Sequence, residues 1–473
     1  MYCNGCRFIA LIAVLMLLMQ LAACGGSNDS PAETGSFPVV VFSDIHFNPF
    51  YDPSVFTQLN ASDADNWPGI FQTSSIKGPP TWGADTSYPL LVIALASIRQ
   101  NLSKCPLVIF TGDLLGHDFP KQFFNLYKPG DTSEPNSEDI AAMKAFADKT
   151  VTFLMQQIRS SVGSIPVMFA LGNTDSYMGL GAENDFLSNT AELFYSQFIS
   201  GTVDHDTFVT TYTTDGYYAA EPPGMDLVII ALNTYKFSPD FKGLYAAGIA
   251  DQLAWFDSAL DSAMRKGKKV WLLMHVPPGA DKYSTAQAVD ASGQISTATM
   301  LWGPNYQESF LNILSKYDGL IALTLVAHTH MDEYRIMSSG NAAVTTPGIA
   351  PYFGNNPAYK IFNVSSNTLR ATDYRSLNYN LATTPDQFSS YYTFSTQYYL
   401  QGALGDSLAL LYPWLVAGNT RQARYRDSYF SGHNYINPPG NTFNPITDLT
   451  WPVYWCAINH MDEKSLKECV NNY

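Results

Sequence analysis

The sequence predicts an α/β protein: a β-rich sandwich with helices outside it, followed by a C-terminal helical extension. Three observations carry this reading. Apolar runs of four to seven residues, the length of buried strands, alternate with segments whose apolar residues recur at helical spacing. Several runs end in a polar cluster, and the ends of strands are where open α/β sheets place their sites. After about residue 375 the texture changes to Tyr-, Gln- and Asn-rich stretches such as YYTFSTQYYL (Tyr391–Leu400).

Taken in order, VVVF (Val39–Phe42) reads as a strand and runs into SDIH. Residues 89–102 carry helical spacing. LVIF (Leu107–Phe110) is the next strand and runs into GDLLGHD. Residues 139–162 read as a helix with Ile140, Met143, Phe146, Val151, Leu154 and Ile158 near one face. VMFAL (Val167–Leu171) runs into GNTD. Two strand-like runs flank EPPG between 216 and 233, a hairpin signal. Residues 251–266 are helical, VWLLM (Val270–Met274) runs into His275, and 306–314 are helical again. LIALTLV (Leu320–Val326) runs into AHTH. Residues 334–337, 342–345 and 360–364 read as further, more antiparallel strands. The main domain is therefore expected over 37–384 and the helical extension over 385–473. Aromatic clusters in the extension read as core packing.

The N-terminus reads as a targeting segment. Arg7 is the only charge before residue 29, and Phe8 to Leu18 is an apolar run of eleven residues, too short to span a bilayer. LAAC (Leu21–Cys24) resembles a bacterial lipobox. Residues 1–23 are expected to be a lipoprotein signal peptide and Cys24 to be lipidated. Residues 24–36, containing GGSNDSPAETGS, would be a flexible tether. The expected protein is exported, periplasmic or at the cell surface, and held on a membrane by acyl chains. Outside the cytoplasm cysteines can oxidise. Cys456 and Cys469, thirteen apart and flanking a short helix-like segment, are the expected disulfide, leaving Cys105 as a lone buried thiol. The net charge of −15 argues against binding a nucleic-acid duplex. A phosphate substrate remains compatible, because bound divalent metals reverse the sign locally.

Five elements carry the chemistry: SDIH, GDLLGHD, GNTD, MH and AHTH. Asp44 and His46 are two apart at a strand end and should point to one side, as should His328 and His330. Asp113, Asn173 and His275 each follow an apolar run. Together they offer two carboxylates, four imidazoles and an amide. Such N/O ligation suits Zn²⁺, with Mn²⁺ or Fe as alternatives, rather than Mg²⁺ alone. Seven ligands exceed what one tetrahedral metal uses and suit two metal ions about 3.5–4 Å apart. Each pair alone is a weak signal; the ordered set is specific, since five of the eight histidines fall inside these elements. His205, His433 and His460 read as surface or structural residues.

The order D-x-H, GD, GN, H, H-x-H resembles that of the calcineurin-like metallophosphoesterases. The resemblance implies their four-layer β-sandwich flanked by helices. GDLLGHD is similar to the GDxxxHD element of the acid sphingomyelinase-like phosphodiesterase branch. APYFGNNPAYKIFNV (Ala350–Val364) and WGADTSYPL (Trp82–Leu90) resemble segments of the same branch. No saposin-like domain is read ahead of the main domain, so the likeness is to the branch's shorter members. The resemblance implies that Asp44, His46, Asp113 and His330 hold one metal. Asp113, Asn173, His275 and His328 would hold the other, with Asp113 bridging. A metal-bridging hydroxide would then attack phosphorus in line with the leaving oxygen, and Asn173 and His328 would also serve catalysis at the phosphate.

One position departs from the pattern. Most relatives carry His after the GN asparagine; here it is Thr174. An aliphatic hydroxyl is too weak an acid to protonate a leaving group near neutral pH. His117 is the candidate acid, and Asp118 beside it should favour its protonated form. Thr174 also lowers the expected acid demand, which suits phosphoanhydrides and phenolic esters better than alkoxide leaving groups. The expected substrate is a phosphodiester, a phosphoanhydride or a phospholipid headgroup. The alternatives are an endopolyphosphatase-like or phosphomonoesterase activity, or a metal-binding surface lipoprotein without turnover. Specificity is expected in the loops 48–88, 117–138, 176–185 and 277–305.

Overall fold

The computed structural model describes residues 35–239, 241, 247–338, 340–416, 418–433 and 446–473. The expected signal peptide, Cys24 and nearly all of the tether lie outside the described residues. Among the described residues no helix is long and apolar enough to cross a membrane.

Among the described residues twelve strands build two sheets. They are β1 (Ser36–Phe42), β2 (Val108–Phe110), β3 (Val167–Phe169), β4 (Tyr218–Ala220), β5 (Leu227–Ala231) and β6 (Lys269–Leu273). These are followed by β7 (Ile321–Val326), β8 (Tyr334–Ser338), β9 (Asn341–Thr345), β10 (Ala358–Ser365), β11 (Ala371–Asn378) and β12 (Ser389–Thr393). The first sheet has the order β12-β11-β10-β1-β2-β3 and the second β4-β5-β6-β7-β9-β8. β1, β2 and β3 run parallel, as do β5, β6, β7 and β9. Their carboxyl ends therefore gather on one rim of the sandwich, and all five sequence elements with ligand chemistry sit there.

Alternation along the strands builds the layers. In the second sheet Ile229, Trp271, Leu273 and Leu325 belong to the large core shared with the first sheet. Their neighbours Ile230, Val270, Leu272 and Val326 belong to a separate outer core. Phe256 and Leu260 of helix 247–265, and Phe310 and Leu314 of helix 304–316, fill that outer core. Helices 88–100 and 137–162 supply Leu91, Leu95, Phe146 and Phe153 to the large core with the first sheet. The result is helix, sheet, sheet, helix. Hydrogen-bonded side chains join the sheets, Lys360 of β10 to the Thr345 carbonyl of β9 (2.7 Å) among them. Trp271 donates to the Leu369 carbonyl at 2.7 Å. The Tyr218 hydroxyl accepts from the Phe169 N–H and donates to the Phe169 carbonyl, each at 2.8 Å.

Most predicted elements lie where expected, with three differences. The buried stripe of helix 137–162 starts at Met143; Ile140, one turn earlier, faces solvent. Residues after 385 contribute not only helices but also β12, the edge strand paired with β11. Cys456 and Cys469 do pair, with Cα atoms 5.9 Å apart, but they link two helices, Trp451–Cys456 and Glu463–Asn471, rather than flanking one. Cys105 is a free, buried thiol just before β2.

The loop that follows β7 is backed by buried charge. Glu333 lies 2.6 Å from the Lys282 ammonium and 3.2 Å from the Arg335 guanidinium. Arg335 also donates to the carbonyls of Pro278 and Ala280, and Lys360 of β10 pairs with Asp332 at 2.8 Å. Burial opposes the charge on Glu333, but Lys282 and Arg335 outweigh it and hold the carboxyl down at about 2. The folded state therefore favours the ionised form. Its contribution to stability is complete above the ordinary glutamate pKa near 4.5 and is lost as pH falls towards 2. Glu333→Gln leaves two buried cations without their carboxylate and should cost roughly 3–5 kcal/mol at neutral pH. Urea midpoints of the two proteins should differ widely at neutral pH and converge as the solution is acidified below 4.5. A gap that stays constant with pH would show that Glu333 is not held as an anion.

Candidate metal centre

All seven predicted ligands meet at the carboxyl rim. Asp44 and His46 follow β1, Asp113 follows β2, Asn173 follows β3, His275 follows β6, and His328 and His330 follow β7. The first three strands belong to one sheet and the last two to the other, so the cluster bridges the sandwich. The pairs two residues apart converge, though not by strand alternation. β1 ends at Phe42 and β7 at Val326, and Asp44, His46, His328 and His330 lie beyond them with φ of 48°, 40°, 72° and 62°. Asp113 has φ 65°. Five of the seven are thus held in left-handed backbone, which bulky residues adopt only under constraint.

The constraint is visible. Asp44 N–H donates to Gly112 O, His46 N–H to Asp113 O, and Ala350 N–H to Asp44 O, at 2.9–3.0 Å. Close approach then demands glycine at two positions. A Cβ on Gly172 would lie 2.1 Å from Asp113 Oδ1, and one on Gly112 would lie 2.6 Å from Gly172 N and 2.9 Å from His275 Nδ1. Asp175 ties the same loops together: its carboxylate accepts from the N–H groups of Gly172, Asp113 and Leu114 at 2.7–2.9 Å.

The two oxygens of Asp113 have separate partners. Oδ2 lies 3.2 Å from His46 Nε2 and 3.0 Å from His275 Nε2. Oδ1 accepts from both the backbone N–H (2.8 Å) and the hydroxyl (2.9 Å) of Thr174. Thr174 therefore clamps the carboxylate from behind, a role that was not apparent from the missing histidine. Three imidazoles are oriented through their other nitrogen. Nδ1 donates to Leu115 O in His46 (3.1 Å), to Thr111 O in His275 (2.7 Å) and to Ala350 O in His330 (3.1 Å). Each Nε2 is thereby turned towards the cluster, the usual arrangement for metal-ligating histidine. His330 Nε2 stands 3.1 Å from His46 Nε2 and 3.5 Å from Asp44 Oδ1, and His328 Nδ1 stands 3.0 Å from Asn173 Oδ1.

This packing fits bound cations. Asp44 Oδ2 is buried with no hydrogen-bond partner, and so is His275 Nε2, which nears Asp113 without hydrogen-bond geometry. Burial pushes the Asp44 carboxyl up to about 6, against the pull of His275. Burial opposes charge on His46 and His275 too, but Asp113 overrides it and raises both to about 9. His328 and His330 are pushed the other way, first by burial and then by the neighbouring imidazoles. Protons thus gather around Asp113 at positions that metal ions would take over, and metal uptake would release them. Three groupings bring one ligand atom per residue within 4.8 Å of each other: Asp44–His46–Asp113, Asp113–His275–His328 and His46–His117–His330. Asp113 is common to the first two.

His117 stands at the edge of the cluster, 21% exposed, sandwiched between the rings of His46 (4.0 Å) and Tyr352 (3.8 Å). The carboxylate beside it is not Asp118, which instead precedes the helix Phe119–Tyr127 with φ 53°. It is Asp85, whose oxygens take His117 Nδ1 at 2.7 Å and the His117 N–H at 2.8 Å. Nδ1 thus carries a proton and Nε2 is left for chemistry. Burial, then charge on His46, pushes the His117 pKa down, against Asp85. The centre opens into a cavity of about 280 Å³, lined beyond the ligands by Tyr283, Leu301, Met331, Phe353 and Phe430. Loop 277–305 reaches it as expected.

Two buried carboxylates, four imidazoles and an amide at the rim of a four-layer α/β sandwich define a metal-dependent hydrolase of phosphoric esters. The sequence pattern of the calcineurin-like phosphoesterases matches residues 37–332, and the chain belongs to that family. It is 22% identical to the rat cyclic GMP-AMP phosphodiesterase SMPDL3A over 91% of each chain. It is 26% identical to sphingomyelinase phosphodiesterase D of Dictyostelium discoideum over 92% of this chain and 94% of that one. A dimetal phosphatase from Danio rerio aligns with 75% of this chain and 98% of its own at TM-score 0.43 and 12% identity.

If Thr174 fixes Asp113, then Thr174→Val, which keeps the backbone N–H bond and loses the hydroxyl, should weaken metal binding roughly tenfold or more. Metal content after dialysis against graded chelator would read this directly. Unchanged retention would remove Thr174 from the metal site.

Proposed function

We propose that the chain is a phosphodiesterase whose seven rim residues hold two divalent metal ions, with Zn²⁺ favoured by the ligand chemistry. Asp44, His46, Asp113 and His330 form one set and Asp113, Asn173, His275 and His328 the other. The observation that carries the reading is Asp113: one oxygen faces imidazoles from both sheets while the other is clamped by Thr174. The bound ions would supply Lewis acidity and an activated water. The chain's own residues do the rest. The tethered imidazoles keep the ligand geometry fixed, and the Asn173 amide and His328 face the cavity at the place of the phosphate. His117, oriented by Asp85, would in its doubly protonated form give the Nε2 proton to the departing oxygen. The rat and slime-mould relatives are both phosphodiesterases by name, which favours a diester over a monoester substrate.

Metal-loaded protein should turn over bis-p-nitrophenyl phosphate faster than p-nitrophenyl phosphate; the reverse order would make it a monoesterase. His117→Ala should slow a diester with an alcohol leaving group by about a hundredfold or more. It should slow a nitrophenyl diester far less, because nitrophenolate departs without a proton. The grouping His46–His117–His330 favours a second role for His117, as a metal ligand. Loss of bound metal from His117→Ala, with both substrates slowed alike, would establish that role instead.

We further propose that the protein is exported and anchored by acyl chains on Cys24, on the strength of the lipobox-like LAAC and the apolar run ahead of it. Cys24→Ala should move the protein from the membrane fraction to the soluble one. Unchanged partitioning would rule the anchor out.

A further inference from the structure

We propose that the C-terminal extension carries a membrane-docking face, centred on Trp414, that lays the folded chain against an anionic bilayer. The inference rests in part on the reading of Cys24 as an acyl anchor and adds how the anchored protein lies. Most large apolar side chains of the extension are buried, but four exposed ones lie together. Tyr399 is 71% exposed, Leu410 55%, Val416 49% and Trp414 40%. The guanidinium of Arg421 stacks over Trp414, 4.2 Å from the ring centre, and donates to the Tyr398 carbonyl at 3.2 Å. Arg424, one turn further along the helix Thr420–Tyr429, stands 5.3 Å from the ring centre of Tyr399. The Asn419 amide donates to the carbonyls of both Trp414 and Val416, each at 2.6 Å. Leu410 lies one turn ahead of Trp414, where the helix Leu404–Leu411 runs on into the short helical turn Tyr412–Trp414.

Three observations name the occupant. Tryptophan and tyrosine concentrate at membrane–water interfaces, and an arginine beside them lays its stem on apolar surface while its charge stays at headgroup level. The second is charge. The chain has a net charge of −15, yet between Gln387 and Arg426 it carries three arginines against one acid, Asp406, itself paired with Arg370 at 3.0 Å. Anionic headgroups complement such a face, whereas a second copy would set its own arginines against these. The third is where the chain from Cys24 enters the fold. The Gly35 carbonyl accepts from the Ser366 N–H at 3.1 Å, in the turn that also holds Arg370. Arg370 in turn reaches Asp406, on the helix that carries Leu410. Gly35 is eleven residues after Cys24, a reach of at most about 40 Å. A second exposed apolar pair, Met178 and Leu180, lies on the opposite flank. Its loop is tied to Asn173, beyond β3, by the Gly181 N–H at 2.8 Å, whereas Tyr399 ends the helix that follows β12. β3 and β12 are the two edges of the first sheet, about 24 Å apart. That loop brings Glu183 and Asp185 in place of arginine.

Labels on the two flanks of the anchored protein test this. Val416→Cys and Met178→Cys each carry an environment-sensitive fluorophore; Cys105 is buried and does not compete. On vesicles of phosphatidylglycerol and phosphatidylcholine, brominated acyl chains should quench the label at 416 severalfold more than the label at 178. Equal quenching, or quenching at 178 alone, overturns the face. The face by itself binds weakly, so Cys24→Ala protein is also titrated with the same vesicles in large excess. Adding Leu410→Asp/Trp414→Asp should raise the lipid needed for half-saturation roughly tenfold or more, with the urea midpoint unchanged. An unchanged titration overturns the proposal. Wild-type protein that washes off the vesicles refutes the Cys24 anchor instead, and the titration then decides the face alone. If Cys24→Ala protein is a dimer that Leu410→Asp/Trp414→Asp disperses, the face belongs to a second copy and the membrane is overturned.

Discussion

The direction in which the two oxygens of Asp113 point governs the site. A carboxylate shared by two cationic partners would rotate or pick one of them if its second oxygen were free. Two donors from one residue, the N–H and hydroxyl of Thr174, occupy that second oxygen and remove the choice. The N–H of Asp113 itself is held by Asp175. The shared oxygen is left between His46, anchored in the first sheet, and His275, anchored in the second. The histidine that most relatives carry after Asn173 is replaced by a threonine that offers rigidity, and in the proposed mechanism the acid is supplied instead by His117.

That arrangement requires backbone that is costly locally. Left-handed conformations at Asp44, His46, Asp113, His328 and His330 each cost roughly 1–3 kcal/mol. They are tolerated because the loops are short and begin at the buried carboxyl ends of parallel strands. They are also cross-bonded to one another and to Ala350. The buried pairs Glu333–Lys282 and Asp332–Lys360 brace the loop carrying His328 and His330. Strain, glycine contacts and buried charge are thus one design: a rim rigid enough to hold like-charged groups together before any ion arrives.

Much of this was legible in the sequence, for a physical reason. Parallel strands buried on both faces read as unbroken apolar runs, so polar residues directly after them stand out, and all seven candidate ligands were picked out that way. The reason offered for the paired spacing was incomplete, because alternation stops where the strands stop and positive φ takes over. β11 and β12 went unnoticed because they lie towards one edge of the sheet and mix polar with apolar residues. The helices Asn184–Phe194 and His205–Asp215 were also unread. Asp85 could not be found from spacing, since it reaches His117 from 32 residues away along an unrelated loop. Which aromatic side chains of the extension face outward, as Tyr399 does beside the buried Tyr398, is not stated by composition.

The Tyr218 hydroxyl has a further consequence. β3 is the outer strand of its sheet, and an outer strand leaves N–H and C=O groups that can recruit a strand from another molecule. Tyr218 fills both bonding positions of Phe169 with a single side chain, and Pro166 just ahead of the strand has no N–H to offer. With three residues in β3 and Phe169 capped from within, little of this edge is left for strand addition. The contact that joins the two halves of the sandwich thus also covers part of the open edge of the strand leading to Asn173.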